Sequence, residues 1–279
     1  MGLFDGVHLG HRAVIEKAKS LGDAAVFTFD TQTVTTKGSG FRYILSREEK
    51  LSRIKALGAE KVFSYDFGEL KTLSAEEFVR DILCKKLGAR YVVCGEDFRF
   101  GRGAEGNAQT LSELCRSFGA EAVTVPKVSA EDGRKISSAD IRRLISSGNM
   151  TEANALLGYD YFFDLPVEKG KMLGRTLGFP TINQSLEQGR VLPRFGVYAS
   201  YVTLGDKLYK SITNIGTKPT VSQSCSVSAE TYIIGFSGSL YGENVTVSLR
   251  GFIRPEKKFD SVSSLKAQIK EDIGRECFI

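Results

Sequence analysis

The chain has no tryptophan and only three methionines, six prolines and two histidines among its 279 residues. No apolar run is long enough for a membrane-spanning helix, so a bilayer partner is not expected. The first residues lack the basic region and apolar stretch of a secretory signal. The five cysteines (Cys84, Cys94, Cys115, Cys225, Cys277) are odd in number, scattered, and form no CxxC pair. That argues against a disulfide framework and against a zinc site, and it suits a reducing cytoplasm. Repeats and low-complexity tracts are also missing. The net charge of +5 is small, and Lys and Arg are spread along the chain. Such a balance fits anionic small molecules better than nucleic acid.

What is present divides into two rhythms. Up to about residue 157, short apolar strands (24–29, 61–67, 90–95, 121–126) alternate with helical stretches near 11–21, 46–57, 74–87 and 108–118. Ser46 with Glu49 and Ser74 with Glu77 read as capping boxes. This alternation predicts an α/β domain with a parallel sheet, which takes ligands at the carboxyl ends of its strands. From about 160 the segments are rich in β-branched and aromatic residues, punctuated by Gly, Asn and Asp. They predict an antiparallel β-barrel, closed by a helix with Asp260 as N-cap and Val262, Leu265, Ile269 and Ile273 as its apolar stripe. The expected domains are 1–157 and 158–279.

Both histidines fall in "GLFDGVHLGH", at positions 8 and 11. Gly6 and Gly10 permit close backbone approach, and a helix beginning near Leu9 offers unpaired amides. His8 and His11 would share its first turn, a suitable place for the charge of a phosphoryl group under attack. Metal binding or two idle surface histidines are the alternatives. "GEDFRFGRG" follows a buried strand and holds Asp97, Phe98 and Phe100; on its own it reads as a tight loop with packed aromatics. "ISSADIRR" sets Ser137 and Ser138 before a helix headed by Asp140, with Arg142 and Arg143 in its first turn. Phosphate contact and plain N-capping both suit that pattern.

In the second half, "EKGKMLGRTLGFPTINQ" spaces Gly170, Gly174 and Gly178 around Lys171 and Arg175. Thr181 and Asn183 alternate onto one side of the strand that follows. Their oxygens suit a hard cation such as Mg²⁺ beside nucleotide oxygens. A glycine-rich turn before a strand is the simpler reading.

Taken together, "FDGVHLGH", "GEDFRFG" and "ISSADIR" resemble the adenylyltransferase module of the bifunctional riboflavin kinase/FMN adenylyltransferase (FAD synthetase) family. "GRTLGFPTIN" and the later blocks "FGVYAS", "SAETYIIGF" and "FIRPEKKFDS" resemble its riboflavin kinase module. The resemblance implies a nucleotidyltransferase-like α/β domain and a kinase barrel. It implies ATP as co-substrate, Mg²⁺, and riboflavin and FMN as partners. By resemblance, His8, His11 and Arg142 act in adenylyl transfer and Glu230 is the kinase base. Phe4, Gly6, Ser137, Ser138, Gly170, Lys171, Arg175, Thr181 and Asn183 would meet ATP, with Thr181 and Asn183 also at the metal. Asp97, Phe98 and Arg254 would meet the flavin.

Three departures stand out. Ala139 replaces a family threonine, a family Pro-His-Pro has no counterpart in "FTFDTQTVTTKG", and little precedes the glycine block where the family has a first strand. These raise the alternative of a riboflavin kinase whose first domain only binds nucleotide or flavin. A non-catalytic flavin-responsive binder is a further alternative. Oligomeric state is not legible.

Overall fold

The computed structural model describes residues 1–30, 41–130, 133–170, 174, 178–218 and 226–275. By compactness the chain divides into two units, Met1–Ser138 and Ala139–Ile279.

In the first unit, helix α1 (Leu9–Lys19) precedes strand β1 (Ala25–Phe29), and α2 (Arg47–Ala56) precedes β2 (Lys61–Tyr65). A short α3 (Phe67–Leu70) and the turn α4 (Ala75–Glu77) follow, the latter running on as a π-helix over Phe78–Lys86. Strand β3 (Tyr91–Gly95), α5 (Ala108–Ser117) and β4 (Glu121–Val125) complete it. Both capping boxes form: Ser46 and Ser74 each accept from the Glu three residues on, whose side chain reaches back. The predicted helix over 74–87 is therefore present, although most of it is wound with the wider π spacing.

β1 pairs with β2 and β3 with β4, both in parallel. The residues ahead of α1 run between these pairs. The Gly2 N–H donates to Phe27 O at 3.1 Å, and the Met1 nitrogen donates to Val93 O at 2.6 Å. Val26, Phe27, Val92 and Val93 on the strands flanking these residues are all buried. Backbone hydrogen bonding, not side-chain pattern, places this segment, which is why the sequence did not show it.

The second unit opens with α6 (Ser138–Ser147), whose first residue belongs to the first unit, and α7 (Met150–Leu157). Strands β5 (Tyr161–Pro166), β6 (Thr181–Ser185), β7 (Gly196–Leu204), β8 (Lys207–Lys218), β9 (Ser226–Ile233) and β10 (Asn244–Arg254) form one antiparallel sheet, in the order β5-β10-β7-β8-β9-β6. The sheet curls until its edges approach. Gln184, wholly buried on edge strand β6, donates to Leu165 O at 2.7 Å on the other edge strand, β5, and to Val245 O at 2.8 Å on its neighbour β10. One buried amide thereby ties the two ends of the sheet together through two carbonyls.

α7 packs on β5 and β10. Its buried Asn154 accepts from the Tyr161 N–H at 2.8 Å and donates to Leu249 O at 2.9 Å. Helix α8 (Val262–Ile273) packs on β8 and carries two corrections. Its N-cap is Ser261, not Asp260, since the Ser261 hydroxyl accepts from the Ser264 N–H. Val262, expected in the apolar stripe, is exposed.

Candidate active sites

The first site is built around a strained turn. Phe4 (φ 53°), Gly6 (φ 82°) and Val7 (φ 38°) all take left-handed backbone. For bulky or β-branched residues this costs of order 1–3 kcal/mol each. Gly6 is required, because a Cβ there would meet Ile44 Cδ1 at 2.8 Å. The turn is pinned from within: buried Asp5 accepts the Ile44 N–H on Oδ1 at 2.9 Å. The Ser138 hydroxyl donates to Asp5 O at 2.9 Å, joining two motifs 133 residues apart.

The turn delivers His8 to the N-cap of α1, where its Nδ1 accepts from the His11 N–H at 3.4 Å. The ring proton then sits on Nε2. The two imidazoles stack, with centroids 3.6 Å apart and planes 19° apart, and the Phe4 ring meets His11 edge-on at 5.1 Å. Burial is the main influence on His8 and lowers its pKa to about 4, against the opposing pull of Asp97. His8 is therefore neutral near pH 7, and stacking it on a second imidazole carries no like-charge penalty. Gly10 makes the arrangement possible, since a Cβ there would lie 3.1 Å from His8 Cε1.

A cavity of about 1070 Å³ opens over this pair. Phe4, His8, His11, Asp97, Phe98, Ser137 and Ser138, drawn from three separate sequence blocks, all line it. Phe98 stacks on buried Phe100 (5.8 Å, 11°), and Asp97 pairs with Lys127 at 3.1 Å. Two expected residues stand apart. Gly6 serves the turn without lining the cavity, and Arg142 belongs to the second compact unit. Ser138 is the first residue of α6, not a residue before it, and Asp140 lies inside the first turn.

The second site lies on β6, β8 and β9. Register places Asn183 opposite Glu230, and Glu230 opposite Asn214, as one row across three strands. The adjoining row is Thr181, Tyr232 and Ile212. Phe179 meets the Tyr232 ring edge-on at 5.2 Å. Glu230 is exposed, whereas Asn183 is buried beneath Gly170, where a Cβ would come within 2.7 Å of Asn183 Cγ. Lys171 and Arg175 lie outside the described residues, as does all of "TQTVTTKG". Arg254 donates to both carboxylate oxygens of buried Asp272 on α8, the shortest bond being 2.8 Å. Its guanidinium also lies 5.7 Å from the Phe259 ring centroid.

Residues not singled out in the sequence complete both sites. Glu256 Oε1 accepts from Asn214 Nδ2 at 3.2 Å, which puts a second carboxylate beside the Glu230 row. Asp5 is buried within the histidine turn and Lys50 is buried beneath it. A signal for Lys50 was available: it lies four residues before buried Ile54, on the inward face of α2.

A parallel α/β unit with a histidine pair at a helix start, followed by an antiparallel barrel with a Thr-x-Asn strand facing a glutamate, defines a two-domain nucleotide-dependent transferase architecture. Comparison with known proteins agrees. Residues 1–140 match the FAD synthetase family and 157–276 the riboflavin kinase family. The chain belongs to the bifunctional riboflavin kinase/FMN adenylyltransferase family. Members so named from Listeria monocytogenes and Escherichia coli K12 are 34% and 36% identical to it. Both alignments cover 98% of this chain, with 88% and 89% of the respective relatives. A Streptococcus pneumoniae crystal structure described as a macrolide-efflux protein superposes with a TM-score of 0.86 at 33% identity, covering 98% of this chain and 90% of that one. Among the described residues here, no helix is long and apolar enough to cross a membrane.

Proposed function

We propose that this chain phosphorylates riboflavin to FMN in residues 158–279 and adenylylates FMN to FAD in residues 1–157, in the cytoplasm and with ATP as donor for both. The observation that carries the reading is the convergence of His8, His11, Asp97, Phe98, Ser137 and Ser138 on one cavity. In adenylyl transfer, an FMN phosphate oxygen attacks the α-phosphorus of ATP. The bond to the bridging oxygen breaks and pyrophosphate leaves. His8 Nε2–H, the His11 ring and the backbone amides at the start of α1 and around Ser137 and Ser138 would hold the phosphate oxygens, with Arg142 as a further cation. Such a site needs charge stabilisation and no covalent intermediate. Phe4 and Gly6 would shape the ATP side, and Asp97 and Phe98 the flavin side.

In the kinase, Glu230 would take the proton of the riboflavin 5′-hydroxyl as its oxygen attacks the γ-phosphorus and ADP departs. The Thr181 hydroxyl and Asn183 amide are neutral, hard oxygen donors two residues apart on one strand face, and they fit Mg²⁺. The ion would neutralise phosphate charge when bound. Gly170 and the charged Lys171 and Arg175 would meet ATP, and Arg254 would help enclose the flavin.

Incubating the pure protein with Mg-ATP and either riboflavin or FMN tests this directly. Both FMN and FAD should form. Glu230→Gln should abolish the first conversion alone, and His8→Ala should slow the second about a hundredfold. A protein that phosphorylates riboflavin but never makes FAD would reduce the reading to a kinase.

A further inference from the structure

Lys50 is wholly buried in the first turn of α2, the end of a helix that disfavours a cation. Burying an ammonium is costly, and an apolar side chain of the same length would ordinarily be the more stable choice. Its Nζ donates to Phe29 O, and to Leu3 O and Thr28 Oγ1, each at 3.4 Å. Leu3 immediately precedes the left-handed Phe4–Val7 turn. Thr28 Oγ1 itself donates to Leu3 O at 3.0 Å, so the ammonium, the hydroxyl and that carbonyl form one closed cluster under the turn. The charged groups facing Lys50 are Asp5 in the turn, Asp30 after β1, and Arg47 on α2, which pairs with Asp30 at 3.5 Å.

We propose that Lys50 is a positioning residue for adenylyl transfer: by gathering Leu3 O, Thr28 Oγ1 and Phe29 O, its ammonium holds the strained turn in the shape that sets His8 against the cavity. The assignment rests on the adenylyl-transfer reading of that cavity. Lys50 touches no cavity wall itself and acts through the backbone. The three donors of an ammonium match these three oxygen acceptors, which no apolar side chain could gather.

Burial lowers the Lys50 pKa from 10.5 to about 8, against the pull of Asp5 and Asp30. Above about pH 8 the folded protein therefore loses this cation, while the unfolded chain keeps its proton until about 10.5. From this group, stability rises with pH across that interval, since the unfolded state binds more protons. Activity governed by Lys50 should fall over the same interval. Opposite trends separate a positioning role from a packing role.

The two histidines are the only ones in the chain, so their ring protons report the site by NMR without enzymatic turnover. Wild type should lose FAD formation as pH passes about 8, with the His8 and His11 signals moving together and no loss of thermal stability. Lys50→Met should lower FAD formation by about tenfold to a hundredfold. It should leave riboflavin phosphorylation by the same molecule unchanged, and His8 should titrate above its value of about 4. Lys50→Arg should recover part of the activity and lack the alkaline fall. Wild-type FAD formation and an unmoved His8 titration in Lys50→Met would overturn the assignment. If that variant does not fold, a flat wild-type response of the histidine signals across pH 8 overturns it equally. If wild type forms no FAD, the adenylyl-transfer reading fails, and the His8 titration still decides the role of Lys50.

Discussion

At the scale of single residues, the first site depends on small side chains as much as on reactive ones. Gly10 is helical, and alanine there would favour the helix by up to about 1 kcal/mol. Yet its Cβ would stand 3.1 Å from His8 Cε1 and 3.2 Å from Nδ1, so the ring must move. Gly10→Ala should leave the melting temperature unchanged or higher while FAD formation drops about tenfold, because displacing a positioned donor costs rate. Paired melting and activity measurements check this, with riboflavin phosphorylation as internal control. The His-x-Gly-His pattern was plain in the sequence. The tautomer and neutrality of His8 were not, because both follow from burial and from a backbone N–H that reaches its ring only once α1 forms.

At the scale of elements, α8 is fastened to the barrel by an ion pair. Asp272 is 1% exposed and the Arg254 side chain 15%. Removing one partner strands the other in a poorly solvated place. Asp272→Ala should therefore destabilise the second unit by on the order of 3 kcal/mol, read from urea unfolding. It should also raise the KM for riboflavin if Arg254 shapes the flavin pocket. Strand and helix periodicity exposed nearly every element here, along with both capping boxes. The N-cap of α8 went astray because Asp260 and Ser261 are both good caps, and only the observed hydrogen bond distinguishes them. Gln184 gave no signal either. A polar residue in a strand reads as exposed until the sheet curls and presents it with two carbonyls.

At the scale of the molecule, stability should respond to pH through His8. In the folded chain His8 titrates near 4, against 6.5 when unfolded. Between those values the unfolded state binds the extra proton, so stability that is complete above pH 6.5 falls as pH approaches 4. The loss from this group is on the order of 3 kcal/mol. Thermal melts of the whole chain between pH 7 and 4 should show the first unit weakening, and His8→Ala should flatten that response.

The sequence by itself determined the class of each domain, their order, and the blocks that carry the chemistry, because hydrophobic period and motif spacing are local. It could not reveal that the segment before the glycine block runs between two strand pairs, or that the inward-facing Lys50 reaches the backbone under the turn that holds Asp5. Nor could it place Glu256 beside the Glu230 row. Those relations join residues far apart in the chain. Burial, strand register and hydrogen bonding in the folded state set them, and these shift a side chain's charge and direction without leaving a trace in local pattern.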